Sequence, residues 1–289
     1  MTSVVIGGGL AGAAVAIRLA QTGRDVMLLE REAGAHDKVC GEFLSFEAVD
    51  SLRALGLEPL DLGAVAIRAL DVCVGARRSR SVLPFPALSL SRRVLDEALL
   101  SRAAAVGAQV RRGVRATGAE RLGDAWTVRT VLGDMAASDV FLATGKHDLK
   151  GAGRPPGRQN DLIGFKVHLK LAEPLGPSVE LHLFRGGYAG LEPIEDGVAN
   201  LCLVVRKSVL AAAGGSWDGL LTGLRRQCPH LEARLDGATA LSPRPLAIAA
   251  IPYGYVRTSS DGLWRLGDQA AVIPSLAGEG MAIALRSAR

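Results

Sequence analysis

The chain has 289 residues, enough for one large domain or two interleaved ones with a sizeable core. Its 34 Lys and Arg against 29 Asp and Glu leave a net charge of +5, carried by dispersed arginines. No basic run or aromatic interleaving marks a nucleic-acid surface, so the expectation is a solvated, mildly basic exterior, with an anionic substrate or a membrane face as the other partners such a charge attracts.

No apolar stretch of about 18 residues is free of charge or glycine, so no membrane-spanning helix is expected. The chain starts directly in a strand-like run, which leaves no room for a signal peptide. Cys40, Cys73, Cys202 and Cys228 form no CxxC pair, which predicts a reducing, cytoplasmic setting. His168 and His182 sit within alternating apolar runs and read as sheet residues, so no metal site is expected. HExxH, P-loop and GxSxG patterns are absent.

The chain opens on the apolar run Ser3-Val4-Val5-Ile6, followed by Gly7-Gly8-Gly9-Leu10-Ala11-Gly12 and a helical stretch to Thr22. This pattern predicts a buried parallel strand and a tight turn at Gly7. Gly9 leaves backbone that a pyrophosphate can approach, and Gly12 lets the helix pack closely on the strand. The free N–H groups of the first helical turn, Leu10 and Ala11 among them, and the positive dipole end would face the phosphates. A second strand, Asp25 to Leu29, ends in Glu30, 21 residues beyond Gly9, where an acid accepts ribose hydroxyls. Arg31 follows at the same edge.

Residues 48–55 read as a helix, 66–74 as a strand, and Arg77-Arg78-Ser79-Arg80 as a polar break. Residues 93–106 have helical spacing. Strands are expected at 126–131 and 140–143, the latter leaving through Thr144-Gly145 at a carboxyl end, where nucleotide ligands sit in open α/β sheets. After a loop over 151–157, Ile163, Phe165, Val167, Leu169 and Leu171 alternate strictly. So do Val179 to Leu183 and Leu201 to Val205, which predicts a largely antiparallel sheet with one covered face. One amphipathic helix is expected from Trp217 to Leu235. A last short strand ends at Gly267-Asp268.

The fold class expected is therefore α/β with an α+β insertion: a Rossmann-like nucleotide domain with a parallel sheet and an inserted, mainly antiparallel substrate domain. The division is 1–65, 90–158 and 259–289 for the first, and 66–89 and 159–258 for the second.

Four regions in order resemble the flavoprotein superfamily of the aromatic hydroxylases (para-hydroxybenzoate hydroxylase type) and the geranylgeranyl reductases. They are the opening glycine turn with Glu30; Lys38-Val39-Cys40-Gly41-Glu42-Phe43-Leu44-Ser45; Ser91-Arg92-Arg93-Val94-Leu95-Asp96; and Gly267-Asp268 with Pro274-Ser275-Leu276-Ala277-Gly278-Glu279-Gly280-Met281. The second is similar to the Lys-x-Cys-Gly stretch of the geranylgeranyl reductase branch. The resemblance implies FAD, with Arg92 as a cofactor contact; relatives of this kind usually continue past the position of Arg289 with residues that complete the substrate pocket's cover. Asp268 at a strand tip would accept bonds from the ribityl hydroxyls. Gly278 and Gly280 would let backbone pass beside the flat ring, with the helix start near Met281 favouring negative charge on it.

Cys40 is expected beside flavin and substrate, or else as a small packing residue. Glu42 is expected to orient substrate or relay a proton, or else to be an exposed loop carboxylate. Where the hydroxylases carry Asp-Gly, this chain has Thr144-Gly145.

The function expected is that of an FAD-dependent oxidoreductase, of monooxygenase type, acting on an apolar or aromatic small molecule. Reduction of isoprenoid alkene bonds is the alternative, and a non-catalytic binder is the rival from another class. No second glycine turn between a strand and a helix is visible, so NAD(P)H would visit transiently or a separate reductase would supply electrons. Phe165, Phe184, Tyr188 and Tyr253 are the candidate substrate wall. Peripheral membrane contact is compatible with this reading.

Overall fold

The computed structural model describes residues 2–259 and 261–289. Val4, Val5 and Ile6, apolar and all branched at Cβ, build the fully buried β1 (Ser3–Ile6). The alanine-rich α1 (Leu10–Gln21) turns back over it, and β2 (Val26–Glu30) follows. The short β3 (Phe43–Leu44) leads into α2 (Phe46–Arg53), which Ser45 caps by accepting a bond from the Ala48 N–H. β4 (Val65–Val74) and β5 (Arg77–Ser89) form a long hairpin. Ser91 caps α3 (Arg92–Ala105) in the same way, and β6 (Gln109–Arg112) comes next.

A meander of β7 (Ala116–Leu122), β8 (Ala125–Thr130) and β9 (Gly133–Ala137) precedes β10 (Asp139–Leu142). Then come β11 (Leu162–Lys170), β12 (Ser178–Phe184), β13 (Gly187–Pro193) and β14 (Ala199–Arg206). Three helices follow, α4 (Lys207–Ala212), α5 (Trp217–Gln227) and α6 (Pro229–Leu235). The chain closes with β15 (Thr239–Ala240), β16 (Leu246–Ala249), β17 (Trp264–Arg265) and α7 (Gly280–Arg286).

Five strands make a sheet in the order β17-β10-β1-β2-β6, and every pairing in it is parallel. One face is covered by α1, α3 and α7 over a core that includes Leu28, Leu95, Leu99 and Leu285. The meander covers the other face, with Trp126 and Val128 against Val4 and Leu142. The second sheet runs β15-β11-β14-β13-β12-β4-β5-β3, with β16 also on β11. All of its pairings are antiparallel except β12 with β4. The covers α5 and α6 lie on one face of it through Leu220, Leu224, Leu231 and Leu235.

Two local expectations need correction. Arg77–Arg80 is not a break but the start of β5, where Arg78 and Arg80 reach the buried Asp71 on the neighbouring strand. The helix expected over 217–235 is two helices. Pro229 has no N–H to continue the first, and it occupies the first turn of the second, where none is needed.

The arrangement positions a site through simple geometry. Parallel strands end on one edge, so Gly7 after β1, Glu30 ending β2, Thr144 after β10 and Asp268 after β17 share the carboxyl edge of a single sheet.

Candidate functional site

The β1–α1 turn is built around missing side chains. Gly7 has φ +107°, and a Cβ on Gly12 would lie 1.8 Å from the Gly7 carbonyl oxygen, so strand and helix touch backbone to backbone. Gly9 differs: a Cβ there would meet only the ends of two long cations, Arg92 at 3.4 Å and Lys38 at 3.5 Å. The helix start at Gly9 carries no side-chain cap, which leaves its first N–H groups, from Leu10 and Ala11 onward, for an incoming acceptor.

Arg92 grips Asp96 with two bonds of 2.9 Å, and Lys38 reaches the same carboxylate at 2.7 Å. Burial opposes charge on Asp96, but Arg92 and Lys38 on either side hold its carboxyl below the ordinary range. Two cations and one anion around an uncapped helix start leave an excess positive charge where a pyrophosphate would sit. Glu30 is buried and held by the Gly8 N–H at 2.8 Å and the Glu32 N–H at 3.0 Å, which leaves each oxygen a second lone pair for a ribose hydroxyl. These residues fit a dinucleotide. Arg31 lies outside that grip, exposed, paired with Glu32 and 3.4 Å from His147.

At the other end of the edge, Thr144 closes its own turn through a 2.5 Å bond to the His147 carbonyl. The Gly145 carbonyl accepts from the buried Gln269 side chain at 2.8 Å, tying the exits of β10 and β17 together. Arg154 donates to the Asp268 carbonyl at 2.7 Å, and the Asp268 carboxylate, with Lys146 at 3.8 Å, is left free for hydroxyl donors. Gly278, at φ +72°, passes close to Phe43, where a Cβ would lie 3.3 Å from the ring. Gly280 starts α7, and the Met281 side chain is buried in the core, so only its backbone is available to a ligand.

The third part is the face of the large sheet that α5 and α6 do not cover. Alternation places Lys166, His168, Tyr188, Glu192, Asn200 and Cys202 there. The loop carrying Cys40, Gly41 and Glu42 lies against it. Asn200 donates to the Cys40 carbonyl at 3.1 Å, and Cys40 itself lies beside the Arg92 guanidinium.

Glu42 is not an exposed loop carboxylate. It is fully buried, ion-paired to the equally buried Lys166, bonded to His168 Nε2 at 2.8 Å, and accepts from the Arg92 N–H at 2.7 Å. Its backbone has φ +62°, a left-handed conformation that costs a non-glycine residue about 1 kcal/mol and that these three bonds hold in place. Asp37, Glu42 and His168 offer donor atoms within 4.8 Å of one another. The Lys166 ammonium already supplies positive charge at that point.

Of the four aromatic residues expected to wall the substrate, two lie on the cofactor side of the large sheet and two do not. Tyr253 shares a 2.6 Å hydrogen bond with Ser275 in the flavin-side loop, and Tyr188 stands beside them. Burial, with Tyr253 and Cys202 close by, pushes the Tyr188 phenol well above its usual range. Phe165 and Phe184 point the other way. Phe165 packs on Trp217 with ring centroids 5.5 Å apart, and Phe184 lies against the same helix-covered core.

Lys38, Lys166, Glu192, Asn200 and Arg154 were not singled out from sequence as site residues. For the three strand residues among them a signal existed: each is polar and falls out of phase with an apolar alternation such as Phe165-Val167-Leu169.

Residues 1–137 match the FAD binding domain family. The chain is 28% identical to the menaquinone reductase of Mycolicibacterium smegmatis over 310 residues, covering 99% of this chain and 74% of that one. It is likewise 28% identical to digeranylgeranylglycerophospholipid reductase 2 of Methanopyrus kandleri over 304 residues, covering 96% and 72%. Among solved structures, the myxobacterial chondrochloren halogenase superposes with TM-score 0.87 at 22% identity, covering 99% of this chain and 72% of that one. The halogenase PltM, in complex with phloroglucinol and FAD, gives 0.84 at 16% identity, with 99% and 67% covered.

The fold and site define an FAD-binding flavoprotein enzyme. More narrowly, the FAD binding domain match covers residues 1–137, and along nearly its whole length the chain is similar to the reductases of menaquinone and of digeranylgeranylglycerophospholipid.

Proposed function

We propose that this protein is an FAD-dependent reductase that saturates an alkene bond in an apolar, isoprenoid-type lipid. The observation that carries the reading is the seat of the Cys40-Gly41-Glu42 segment. It bridges the dinucleotide end, through Arg92, and the polar sheet face, through Asn200 and Lys166. The reductases of menaquinone and of digeranylgeranylglycerophospholipid match along nearly the whole chain, whereas a squalene monooxygenase of Eremothecium gossypii matches over 25% of it.

FAD, when bound, supplies two-electron chemistry. The chain's own residues do the rest. The Gly9 turn, Arg92 and Lys38 hold the pyrophosphate, Glu30 and Asp268 hold the two sugar-like ends, and Tyr188 and Tyr253 wall the substrate side. Phe46 and Phe85 lie on the surface with rings 5.5 Å apart. Phe46 adjoins Ser45, which bonds Glu279 of the flavin-side loop at 3.0 Å. That apolar rim suits entry of a lipid from a bilayer, and no helix among the described residues is long and apolar enough to cross one. NAD(P)H is the proposed donor, visiting transiently.

The test is anaerobic turnover. Purified holoenzyme, NADPH and a digeranylgeranyl glycerophospholipid should give a product heavier by two hydrogen atoms for each bond saturated, and menaquinone a product that stays two hydrogens heavier after its quinone ring is reoxidised, at a rate oxygen does not raise. A product formed only with oxygen, and heavier by one oxygen atom, would establish hydroxylation and overturn the reading.

A further inference from the structure

We infer that Glu192 is the acid that delivers a proton to the substrate, an assignment that rests on the reductase reading. Glu192 lies on β13 and is 3% exposed. Its Oε2 has no hydrogen-bond partner among the described residues. Its Oε1 has one weak contact, the Asn200 Nδ2 at 3.5 Å, and that amide already serves the Cys40 carbonyl at 3.1 Å. A Cβ built on Gly41 would lie 4.0 Å from Oε1, so the carboxyl stands against the Cys40-Gly41 backbone, where the chain has no side chain to fill the space.

The contrast with Glu42 is the argument. Both are buried carboxyls on the same side of the sheet. Glu42 has three donors: Lys166, His168 and the Arg92 N–H. Glu192 has almost none, and an unpaired carboxylate at such a position costs several kcal/mol or takes up a proton instead. Burial, with Glu42 and Cys40 close by, pushes the Glu192 carboxyl well above the usual carboxylate range. A buried carboxyl with almost no donors, set against the Cys40-Gly41 backbone, is placed to act as a general acid.

The step balances with reduced flavin as the two-electron reductant. A hydride equivalent forms a C–H bond at one alkene carbon. The alkene π pair takes the Glu192 proton at the other carbon as the O–H bond breaks, and Glu192 is left as a carboxylate. A proton from solvent then restores the Glu192 carboxyl when product leaves.

The experiment compares Glu192→Gln and Glu192→Asp holoenzymes with the parent protein. FAD content and reduction by NADPH should be unchanged in both. Reoxidation of the reduced enzyme by the digeranylgeranyl lipid, which has no quinone ring to take the electrons, should slow without oxygen by about 100-fold or more in Glu192→Gln, and Glu192→Asp should recover part of the rate. A second readout does not depend on turnover: the infrared C=O band of a protonated carboxyl should be present at neutral pH in the parent and missing in Glu192→Gln. If the parent reduces the lipid and Glu192→Gln does so equally fast, or if the band does not depend on Glu192, the assignment is overturned. If the parent saturates neither this lipid nor menaquinone, the reductase reading fails first and takes the role of Glu192 with it, whatever the band shows.

Discussion

Replacing Lys166 with Met tests whether the buried pair under the Cys40-Gly41-Glu42 loop is a structural strut. Lys166 and Glu42 are 2% and 0% exposed, so the substitution leaves a carboxylate without its ion partner where water does not reach. Breaking a buried pair from one side costs about 3–5 kcal/mol. Glu42 keeps two donors, the Arg92 N–H at 2.7 Å and His168 at 2.8 Å, which places the expected loss at the low end, about 3 kcal/mol. For a chain of this size that is a fall of roughly 5–10 °C in Tm. Urea denaturation of the FAD-loaded protein measures it. The double variant Lys166→Met/Glu42→Gln removes both charges and should recover at least about 1 kcal/mol of the loss, a coupling that a double-mutant cycle isolates. A single variant within about 0.5 kcal/mol of the parent, or a double variant no better than the single, would refute the pairing as a strut.

Four further outcomes are expected. Gly12→Ala should fail to fold or lose more than about 3 kcal/mol, because its Cβ would lie 1.8 Å from a backbone oxygen. Gly9→Ala should fold normally yet bind FAD about tenfold or more weakly by fluorescence titration, since only flexible cations border that space; equal affinity would remove the pyrophosphate from Gly9. On the opposite face of the sheet, burial works to raise Glu180, but His182, 3.4 Å away, and the hydrogen bonds from Arg234 outweigh it and hold the carboxyl at about 2 against an ordinary 4.5. Its contribution is therefore complete above about pH 4.5 and is lost as pH falls toward about 2. Allowing for solvent screening at the arginines, it amounts to about 1–2 kcal/mol. Urea midpoints from about pH 6 to pH 3 should converge for the parent and Glu180→Gln, and a constant gap would refute the assignment. Burial pushes the Cys202 thiol up to about 12, with Cys40 close by adding to it, and Cys73 and Cys228 are buried. A thiol reagent at neutral pH should therefore label the native chain once, at Cys40, and a second rapid label would contradict this.

What could be read from the sequence was whatever a short stretch of chain decides for itself. The Gly7–Gly12 turn, Glu30 at the end of β2 and Asp268 beyond β17 each carry a local signature, and parallel pairing then puts them on one edge without further specification. The polar face was not readable in the same way. The period-two pattern of β11 shows that Phe165, Val167 and Leu169 share a face, and that Lys166 and His168 share the other. Which face meets the cofactor edge is decided by α5 and α6, some 50 residues later in the chain, which claim the apolar side. Choosing aromatic residues as the wall therefore selected Phe165 and Phe184 from the wrong side. Arg77–Arg80 misled for a related reason: its charges look like loop composition until Asp71 is seen across the strand pair.

The three buried glutamates on the cofactor side show how little residue type alone settles. Glu30 has two backbone N–H donors, fixed by the β1–α1 turn and by the chain just beyond β2, and so offers its remaining lone pairs to sugar hydroxyls. Glu42 has an ammonium, an imidazole and a helix-start N–H, and so ties β11 of the large sheet to the start of α3 through a strained backbone. Glu192 has one shared amide at 3.5 Å, and so has a proton to give. Donor supply, set by elements distant in sequence, assigns one residue to grip, one to brace and one to chemistry. Moving a donor should move the role. Placing a second cation beside Glu192, as Cys202→Lys would attempt, should ionise it and extinguish its protonated-carboxyl infrared band while leaving Glu30 and the FAD it holds undisturbed.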